Sequence, residues 1–397
     1  MKALSPYLDD VEIDELVDYY SKFRNFFDPE IFKTITQWNG MDFYDHISSC
    51  FEKVISYVES RRIGSDSISA AVIPSVVEFY REFPKLFELA LSGKRSRAYE
   101  SLEERIIPRL GMAFSTFKSL THHYLSPTET GIVYRMRIGS DVYNAPLSEK
   151  EMFHIPFEKR HLIGNNRFSL TGFPCLYFGN SVYGCWEEMG RPNIESCFVA
   201  KFDLSGHHFI DLSRTPQEIN TALDHWSGKT FLMRTKLTEE VSKSFEYLMT
   251  DYLLLWPLIF CCSIKVFHQD SVFKPEYIFP QLLLEWIISG RLSQYDGIKF
   301  NSTKSPMLAG VIEGDLAPLL CNYVLPARVL SKTGLCSENT EKIKVSKPVS
   351  YGVLKLIRSH TNLSSKNMQG ALTGYEETVF GLLEKELNDV PLDYIAS

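Results

Sequence analysis

The spacing of apolar residues changes at the turn-rich segment 126–131, and no other feature limits the fold as strongly. Before this segment, apolar residues recur at helical spacing, which predicts helices over 13–27, 43–60, 68–91 and 97–124. After it, short β-branched and aromatic runs predict strands over 132–138, 175–178, 196–204, 208–212 and 298–300. Two helical patterns, at 182–189 and 277–288, lie between these strands. This mixture is typical of an α+β domain.

The sequence therefore predicts three parts. A helical N-terminal domain occupies 1–125, and an α+β domain occupies 131–330. Residues 331–350 are rich in Lys, Ser, Thr and Glu, which predicts a linker before a last helix within 331–397. A chain of 397 residues is long enough for such an arrangement.

Composition excludes several classes of protein. A net charge of −7 argues against a general nucleic-acid binder. The eight cysteines form no CxxC pair and no secretory signal opens the chain, which favours a reduced, cytoplasmic setting. The most apolar run, 252–264, is shorter than the ~20 residues that a membrane helix needs, and Pro257 interrupts it. We therefore expect this run to be buried core, with no association with a membrane.

Several arginines fall within the first part of the α+β region. Arg135 and Arg137 share one face of the predicted strand 132–138, because side chains alternate along a strand. Two cations are costly in a core, so they face either water or a bound anion. Arg160 and Arg167 follow in the sequence, and arginine is well suited to phosphate. A solvated basic face and an anion site both remain open at this point.

A short helix after Tyr177 carries two carboxylates, Glu187 and Glu188. Adjacent helical residues point ~100° apart, so at most one of them faces a site. An aromatic ring can stack on a flat base, and one carboxylate can stabilise a developing cation. The alternative is that both carboxylates are solvated charges on the helix surface.

Other constellations are weaker. Ser302 lies just past a short strand, but no GxSxG or SxxK motif accompanies it. The adjacent histidine pairs lack the spacing of a helical zinc site, so no metal is predicted. Cys185 with His154 or His161 as a base is a further candidate, although buried structural cysteine is commoner. Neither a Walker loop nor GxGxxG occurs.

Four motifs together resemble the RES domain, over roughly residues 131–305. They are Tyr134-Arg135, Arg167-Phe168-Ser169, Leu176-Tyr177 with Ser181 and Glu188, and the segment from Pro280-Gln281 to Ser302. RES proteins are toxins of bacterial toxin–antitoxin pairs. The resemblance implies an ADP-ribosyltransferase-like mixed β-sheet core and cleavage of the nicotinamide–ribose bond of NAD, with phosphate or water as acceptor. Typical RES toxins are compact single domains, whereas this chain adds a helical N-terminal region.

The resemblance also assigns roles to residues. Arg135, Tyr177, Glu188 and Ser302 become the catalytic residues, while Arg137, Arg167 and Tyr134 become substrate-binding residues. In these roles the arginines hold the pyrophosphate, and Tyr177 stacks on the nicotinamide. Glu188 stabilises the ribosyl cation or holds a ribose hydroxyl, and Ser302 bonds ribose or phosphate.

The implied ligands are NAD as a substrate, inorganic phosphate, and no bound cofactor. The implied partner is an antitoxin or a regulatory protein, and a homo-oligomer is compatible with the sequence. Two alternatives remain. One is an ADP-ribosyltransferase that modifies a macromolecule, and the other is a non-catalytic, nucleotide-sensing interaction protein.

Overall fold

The structure is a computed structural model that describes residues 25–61, 72–110, 131–139, 146–233, 239–290, 294–304, 317–357 and 375–395. These residues contain eleven α-helices and nine strands. The helices are α1 (Phe43–Ser60), α2 (Ile73–Tyr80), α3 (Glu82–Leu91), α4 (Arg95–Ser101), α5 (Val182–Glu188), α6 (Pro216–Met233), α7 (Glu239–Cys262), α8 (Ile278–Ile288), α9 (Ser337–Lys342), α10 (Tyr351–Ile357) and α11 (Val379–Asn388). The strands are β1 (Ile132–Ile138), β2 (Cys175–Gly179), β3 (Cys197–Asp203), β4 (Phe209–Leu212), β5 (Gly297–Asn301), β6 (Cys321–Pro326), β7 (Lys344–Ser346), β8 (Val349–Ser350) and β9 (Leu392–Tyr394).

The chain divides into two compact units. A helical unit comprises Met1–Thr128 and Arg214–Phe279, and a sheet unit comprises Glu129–Ser213 and Pro280–Ser397. This division differs from the boundaries drawn from the sequence, because α6 and α7 belong with the helical unit. The segment 331–397 also belongs with the sheet unit, where β7 pairs with both β3 and β9. Its polar composition suggests a linker, but polar residues also suit strands near the edge of a sheet.

Proline shapes the helices of the helical unit. Helix α1 matches its predicted bounds. The pattern over 68–91 instead forms two helices that meet at Arg81, because Pro84 offers no N–H to the Tyr80 carbonyl four residues earlier. Helix α4 continues into one π-helical turn, Leu102–Ile106. The predicted helical stretches 13–24, 68–71 and 111–124 lie outside the described residues.

The apolar run 252–264 lies in the core of the helical unit, as predicted. Pro257 lacks an N–H, so the Leu253 carbonyl has no donor within α7. The hydroxyl of Tyr80 donates to that carbonyl at 2.8 Å and satisfies it. The Trp256 ring stacks on Phe260, with centroids 5.2 Å apart. None of the described helices combines the length and hydropathy needed to cross a membrane.

The sheet unit contains one mixed sheet, which agrees with the predicted α+β class. The strand order is β4-β5-β6-β2-β1-β3-β7-β9, and β8 pairs with β3. Only β4 and β5 run parallel among the described pairs. Strand β1 forms a continuous ladder with β3 along its whole length. Apolar clusters cover both faces, one built around Val133, Phe178 and Phe202, and the other around Met136 and Val182.

Strand β6 was not predicted, although it lies in the middle of the sheet. All six of its residues are buried. A strand that is buried on both faces lacks the alternation of apolar and polar residues by which strands are usually recognised. Its partner β2 lies far away in the sequence, and its other partner β5 does not directly precede it.

The buried carboxyl of Asp251 on α7 generates a prediction about stability. Its Oδ2 atom has no hydrogen-bond partner, and desolvation raises the pKa of the group to about 7. The folded state therefore binds a proton more tightly than the unfolded chain, whose Asp pKa is about 3.9. The contribution of Asp251 to stability is most favourable at low pH and is lost as pH rises from about 4 to 7. The Asp251→Asn variant removes this loss, so at pH 8 it should be more stable than the parent by on the order of 1 to 4 kcal/mol.

Urea unfolding at pH 5, 6, 7 and 8 checks this prediction. The stability difference between Asp251→Asn and the parent should grow from pH 5 to about pH 7 and then level off. Parallel curves for the two proteins would contradict it.

Candidate functional site

Helix α5 is held at its beginning by two side chains. The Ser181 hydroxyl accepts the Gly184 N–H at 2.9 Å, as an N-cap residue does. Glu384 of α11 accepts the Val182 N–H at 2.7 Å. These contacts satisfy amide groups that have no partner inside the helix. They fix the helix whose last residue is Glu188.

The Glu188 carboxylate is anchored through one of its oxygens. Oε1 accepts the Ser302 hydroxyl at 2.5 Å and the Asn322 side-chain N–H at 2.9 Å. The Lys304 ammonium lies 3.7 Å from Oε2 and donates to the Glu188 backbone carbonyl. Ser302 is fully buried, whereas the Glu188 side chain is 30% exposed. The Ser302 hydroxyl, for which the sequence predicts a ligand contact, donates to the Glu188 carboxylate.

Glu187 has a different environment. Its side chain is almost fully buried, and Oε2 accepts from the Arg191 guanidinium at 3.0 Å in an i,i+4 ion pair. The rotation of ~100° between adjacent helical residues separates the two carboxylates. Only Glu188 of the two is brought to Ser302.

Tyr177 lies on the same face of the sheet as Asn322, one of the two residues that donate to Glu188. Tyr177 pairs with Val324, and Gly179 pairs with Asn322, so Tyr177 and Asn322 are diagonal neighbours across β2 and β6. Such neighbours lie about 7 to 8 Å apart. The Tyr177 hydroxyl is 2.5 Å from the Ser169 hydroxyl, and this hydrogen bond fixes the orientation of the ring.

Arg135 and Arg137 share one face of β1, opposite Ala200 and Phe198. Arg135 donates to the Tyr177 carbonyl at 2.7 Å, and Arg137 donates to the Phe153 carbonyl at 2.6 Å. The Nε atom of each is buried without a partner. Among the described residues, neither guanidinium forms an ion pair with a carboxylate.

Burial changes the electrostatics of both arginines. Desolvation, followed by the nearby charge of Arg137, lowers the pKa of Arg135 to about 9. Desolvation also lowers the pKa of Arg137, and Glu151 partly offsets this effect. Two neighbouring cations that are partly removed from water are costly unless an anion meets them. This pair can therefore bind an anion such as phosphate or pyrophosphate.

The turn 165–169 brings a third arginine to the residues after β5. The side-chain N–H of Gln281 donates to the Asn165 amide oxygen at 2.6 Å and to the Ser169 carbonyl at 3.3 Å. Arg167 in this turn donates to the Thr303 hydroxyl at 3.0 Å. Since Thr303 follows Ser302, Arg167 lies close to the anchor of Glu188.

Cys185 on α5 relates Arg135, but not Arg137, to Glu188. Its thiol donates to the Tyr134 carbonyl at 3.2 Å, and burial raises its pKa to about 12. Arg135 lowers this pKa and Glu188 raises it, so both charges lie near the thiol. A thiol with so high a pKa is a poor nucleophile at neutral pH.

Two other predicted residues have different surroundings from those expected. Tyr134 alternates to the opposite face of β1 from the two arginines, where it is buried in the cluster around Met136 and Val182. Because Tyr134 pairs with Gly179, Tyr177 and Asn322 project to this same face, so the structure brings neither Tyr134 nor the Tyr177 ring to the face from which the two arginine side chains project. His154 uses both ring nitrogens in hydrogen bonds, from Nδ1 to the Ile155 carbonyl and at Nε2 from the Cys336 N–H. It is thus not available as a base for Cys185.

Asn322 is the residue at this site that sequence reasoning missed. It lies on β6, and the register of that strand brings it to Glu188. The signal in the sequence is the apolar run around it, Cys321–Pro326, which fits a fully buried strand. No group of three potential metal ligands occurs among the residues that the structure describes.

Comparison with known proteins gives one curated relative. It is a protein of Bacillus subtilis (strain 168) named "Putative toxin YopC", which is 34% identical over 331 residues. The similarity covers 80% of this chain and 70% of the relative. No protein-family model and no solved structure matches the chain. The resemblance to the RES domain and to ADP-ribosyltransferase folds therefore stays a prediction from sequence motifs.

The environment of Cys185 predicts low reactivity. At pH 8 only about one thiol in ten thousand is ionised when the pKa is near 12, and the thiolate is the reactive form. Iodoacetamide should therefore leave Cys185 unmodified in the folded protein and alkylate it in urea, as read by peptide mass spectrometry. Rapid alkylation in the folded protein would contradict this account and restore the thiol as a candidate nucleophile.

Proposed function

The chain belongs to the same protein family as the Bacillus subtilis protein named as a toxin, and we propose that it is a toxin that destroys NAD. The proposed reaction cleaves the bond between nicotinamide and ribose, and phosphate or water accepts the ADP-ribosyl group. The proposed fold type is the mixed sheet of ADP-ribosyltransferases. The toxin role is taken from the relative's name, and the reaction rests on the geometry of the site and on the resemblance to the RES domain.

The observation that carries the proposal is the half-buried arginine pair. Arg135 and Arg137 are partly desolvated on one face of β1, and each donates one hydrogen bond to a backbone carbonyl. A pyrophosphate supplies negative charge and several acceptor oxygens for the remaining donors. A dinucleotide such as NAD carries this group between its two ribose rings. Arg167, in the turn beside Ser302, is a further candidate to contact a phosphate.

In the proposed reaction, Glu188 stabilises the positive charge that develops on the ribose. When the C1′–N bond of NAD breaks, its electron pair passes to the pyridinium nitrogen, and nicotinamide leaves as a neutral molecule. No general acid is needed. The remaining ribosyl group resembles an oxocarbenium ion, and the Glu188 carboxylate stabilises its positive charge. Oε2 is the oxygen available for this contact, because Oε1 is engaged with Ser302 and Asn322.

Tyr177 and the acceptor complete the proposed mechanism. The Tyr177 ring, oriented by its hydrogen bond to Ser169, borders the nicotinamide. An oxygen of phosphate or water then forms a bond to C1′ and, if it carries a proton, releases it to solvent. Because loss of NAD would harm the cell that makes the protein, we propose an antitoxin or a regulatory protein as the partner that restrains it.

Incubation of the purified protein with NAD, with and without phosphate, tests the proposal. Chromatography should detect free nicotinamide together with ADP-ribose in plain buffer, or with a phosphorylated ADP-ribose when phosphate accepts the group. Mass spectrometry of added protein and nucleic acid would detect an ADP-ribose adduct instead if the protein were a transferase. Binding of NAD without any release of nicotinamide would contradict the enzymatic proposal.

The Glu188→Gln variant tests the role of the carboxylate. It keeps the shape and the hydrogen bonds but removes the charge, and loss of one such electrostatic stabiliser typically lowers kcat by ~10²–10³. Glu187→Gln is the matched control, because Glu187 precedes Glu188 on the same helix and pairs with Arg191 instead. We expect the control to retain turnover within a few-fold of the parent. If both variants lose activity equally, the specific role of Glu188 is wrong.

A further inference from the structure

The hydrogen bonds of Glu188 are unevenly divided between its two oxygens. Oε1 accepts both neutral donors, from Ser302 and from Asn322. Oε2 has only the Lys304 ammonium nearby, at 3.7 Å, and the Lys304 side chain is 52% exposed. One oxygen is therefore fixed by buried neutral groups, while the other has only a half-exposed ammonium group as its neighbour.

Asn322 is the more rigid of the two neutral donors. It lies in the middle of the sheet, opposite Gly179 on β2 and Phe300 on β5, and it is only 4% exposed. Its amide neither ionises nor rotates as freely as a hydroxyl. Ser302 lies one residue past the end of β5, and its hydroxyl position depends on the turn that follows.

The charged and titratable groups near Glu188 come from several elements, which include the turn 165–169 with Arg167 and strand β2 with Tyr177. Lys304 belongs to the segment after β5, Cys185 belongs to α5, and Arg135 on β1 acts on Cys185 from the other side. None of these groups donates a hydrogen bond to the carboxylate within the described part of the chain. Asn322 and Ser302 therefore determine the orientation of the Glu188 side chain.

We propose that Asn322 is a positioning residue, which holds Glu188 by Oε1 so that Oε2 is directed at the ribosyl group. This inference rests on the proposed NAD-cleaving function and adds a residue to which no role has been assigned. Asn322 does not itself touch the reacting atoms. Asn322 keeps the Glu188 carboxylate in one rotamer. It does so with an amide donor, which does not exchange a proton with the carboxylate.

The Asn322→Asp variant gives a pH-dependent readout that a merely structural role would not produce. Two carboxyl groups that share one hydrogen bond cannot both ionise easily. At pH 5 the new carboxyl can keep its proton and donate to Oε1 as the amide does. At pH 8 it ionises and repels Glu188. The ratio of the variant's kcat to that of the parent should fall by about tenfold or more between pH 5 and 8.

Asn339→Asp is the matched control. Asn339 lies on α9 in the same unit and is also 4% exposed, but it has no contact with Glu188 among the described residues. Its kcat ratio should stay flat over the same pH range. If the Asn322→Asp ratio is equally flat, the proposal is overturned.

The Asn322→Leu variant separates positioning from substrate binding. It has a similar volume and no donor, so Glu188 loses its anchor, and misplacement of a catalytic group can cost up to ~10² in rate. We expect kcat to fall while KM for NAD stays near the parent value. A rise in KM with an unchanged kcat would overturn the proposal, because Asn322 would then contribute to binding only.

Urea unfolding distinguishes failure of this inference from failure of the proposed function. If the parent releases no nicotinamide, the proposed function is wrong, and the Asn322–Glu188 contact is judged by stability alone. Asn322→Leu should lower the urea midpoint in the parent and have a smaller effect in a Glu188→Ala background. An equal shift in both backgrounds would show that the two side chains do not interact, which overturns the inference independently of NAD.

Discussion

Two guanidinium groups are partly withdrawn from water at neighbouring positions on one face of β1, and this constraint underlies the account of the site. Strand β1 is paired with β3 along its whole length, which fixes the backbone at Arg135 and Arg137. Each finds a single carbonyl partner, and each keeps an Nε atom without a partner. Desolvation is the main cause of the lowered pKa values of both arginines. A bound anion would offset that cost, so the arrangement fits a site prepared for phosphate.

The negative charge of Glu188 is also held in a fixed position. Glu188 stands at the end of α5, and that helix is held at its beginning by Ser181 and by Glu384 of α11. The carboxylate is then anchored by Ser302 and Asn322. Such fixed groups need no reorganisation when positive charge develops nearby, which is the property that electrostatic catalysis requires. The segment 331–397 thus helps to position Glu188, because Glu384 of α11 holds the beginning of α5.

Local patterns in the sequence were sufficient for elements whose signals lie within a few residues. The alternating strand 132–138, the helix 43–60 and the separation of Glu187 from Glu188 all follow from side-chain periodicity. The placement of Tyr134 away from the arginines follows from the same alternation, although the motif resemblance assigned it to the substrate. Elements that depend on distant pairing were not accessible in this way. Strand β6 and Asn322 are defined by partners in β2 and β5, and α6 and α7 join the helical unit through contacts with residues far away in the chain.

Calorimetric titration with ADP-ribose tests the central claim most directly, because this ligand carries the pyrophosphate but no nicotinamide that could react. The parent should bind it, and the Arg135→Gln variant should bind it about ten- to a hundredfold more weakly, since a hydrogen bond to a charged group contributes roughly 1.5–3 kcal/mol. Equal affinity in the parent and in the variant, or no binding to the folded parent, would contradict the claim that Arg135 and Arg137 hold a dinucleotide.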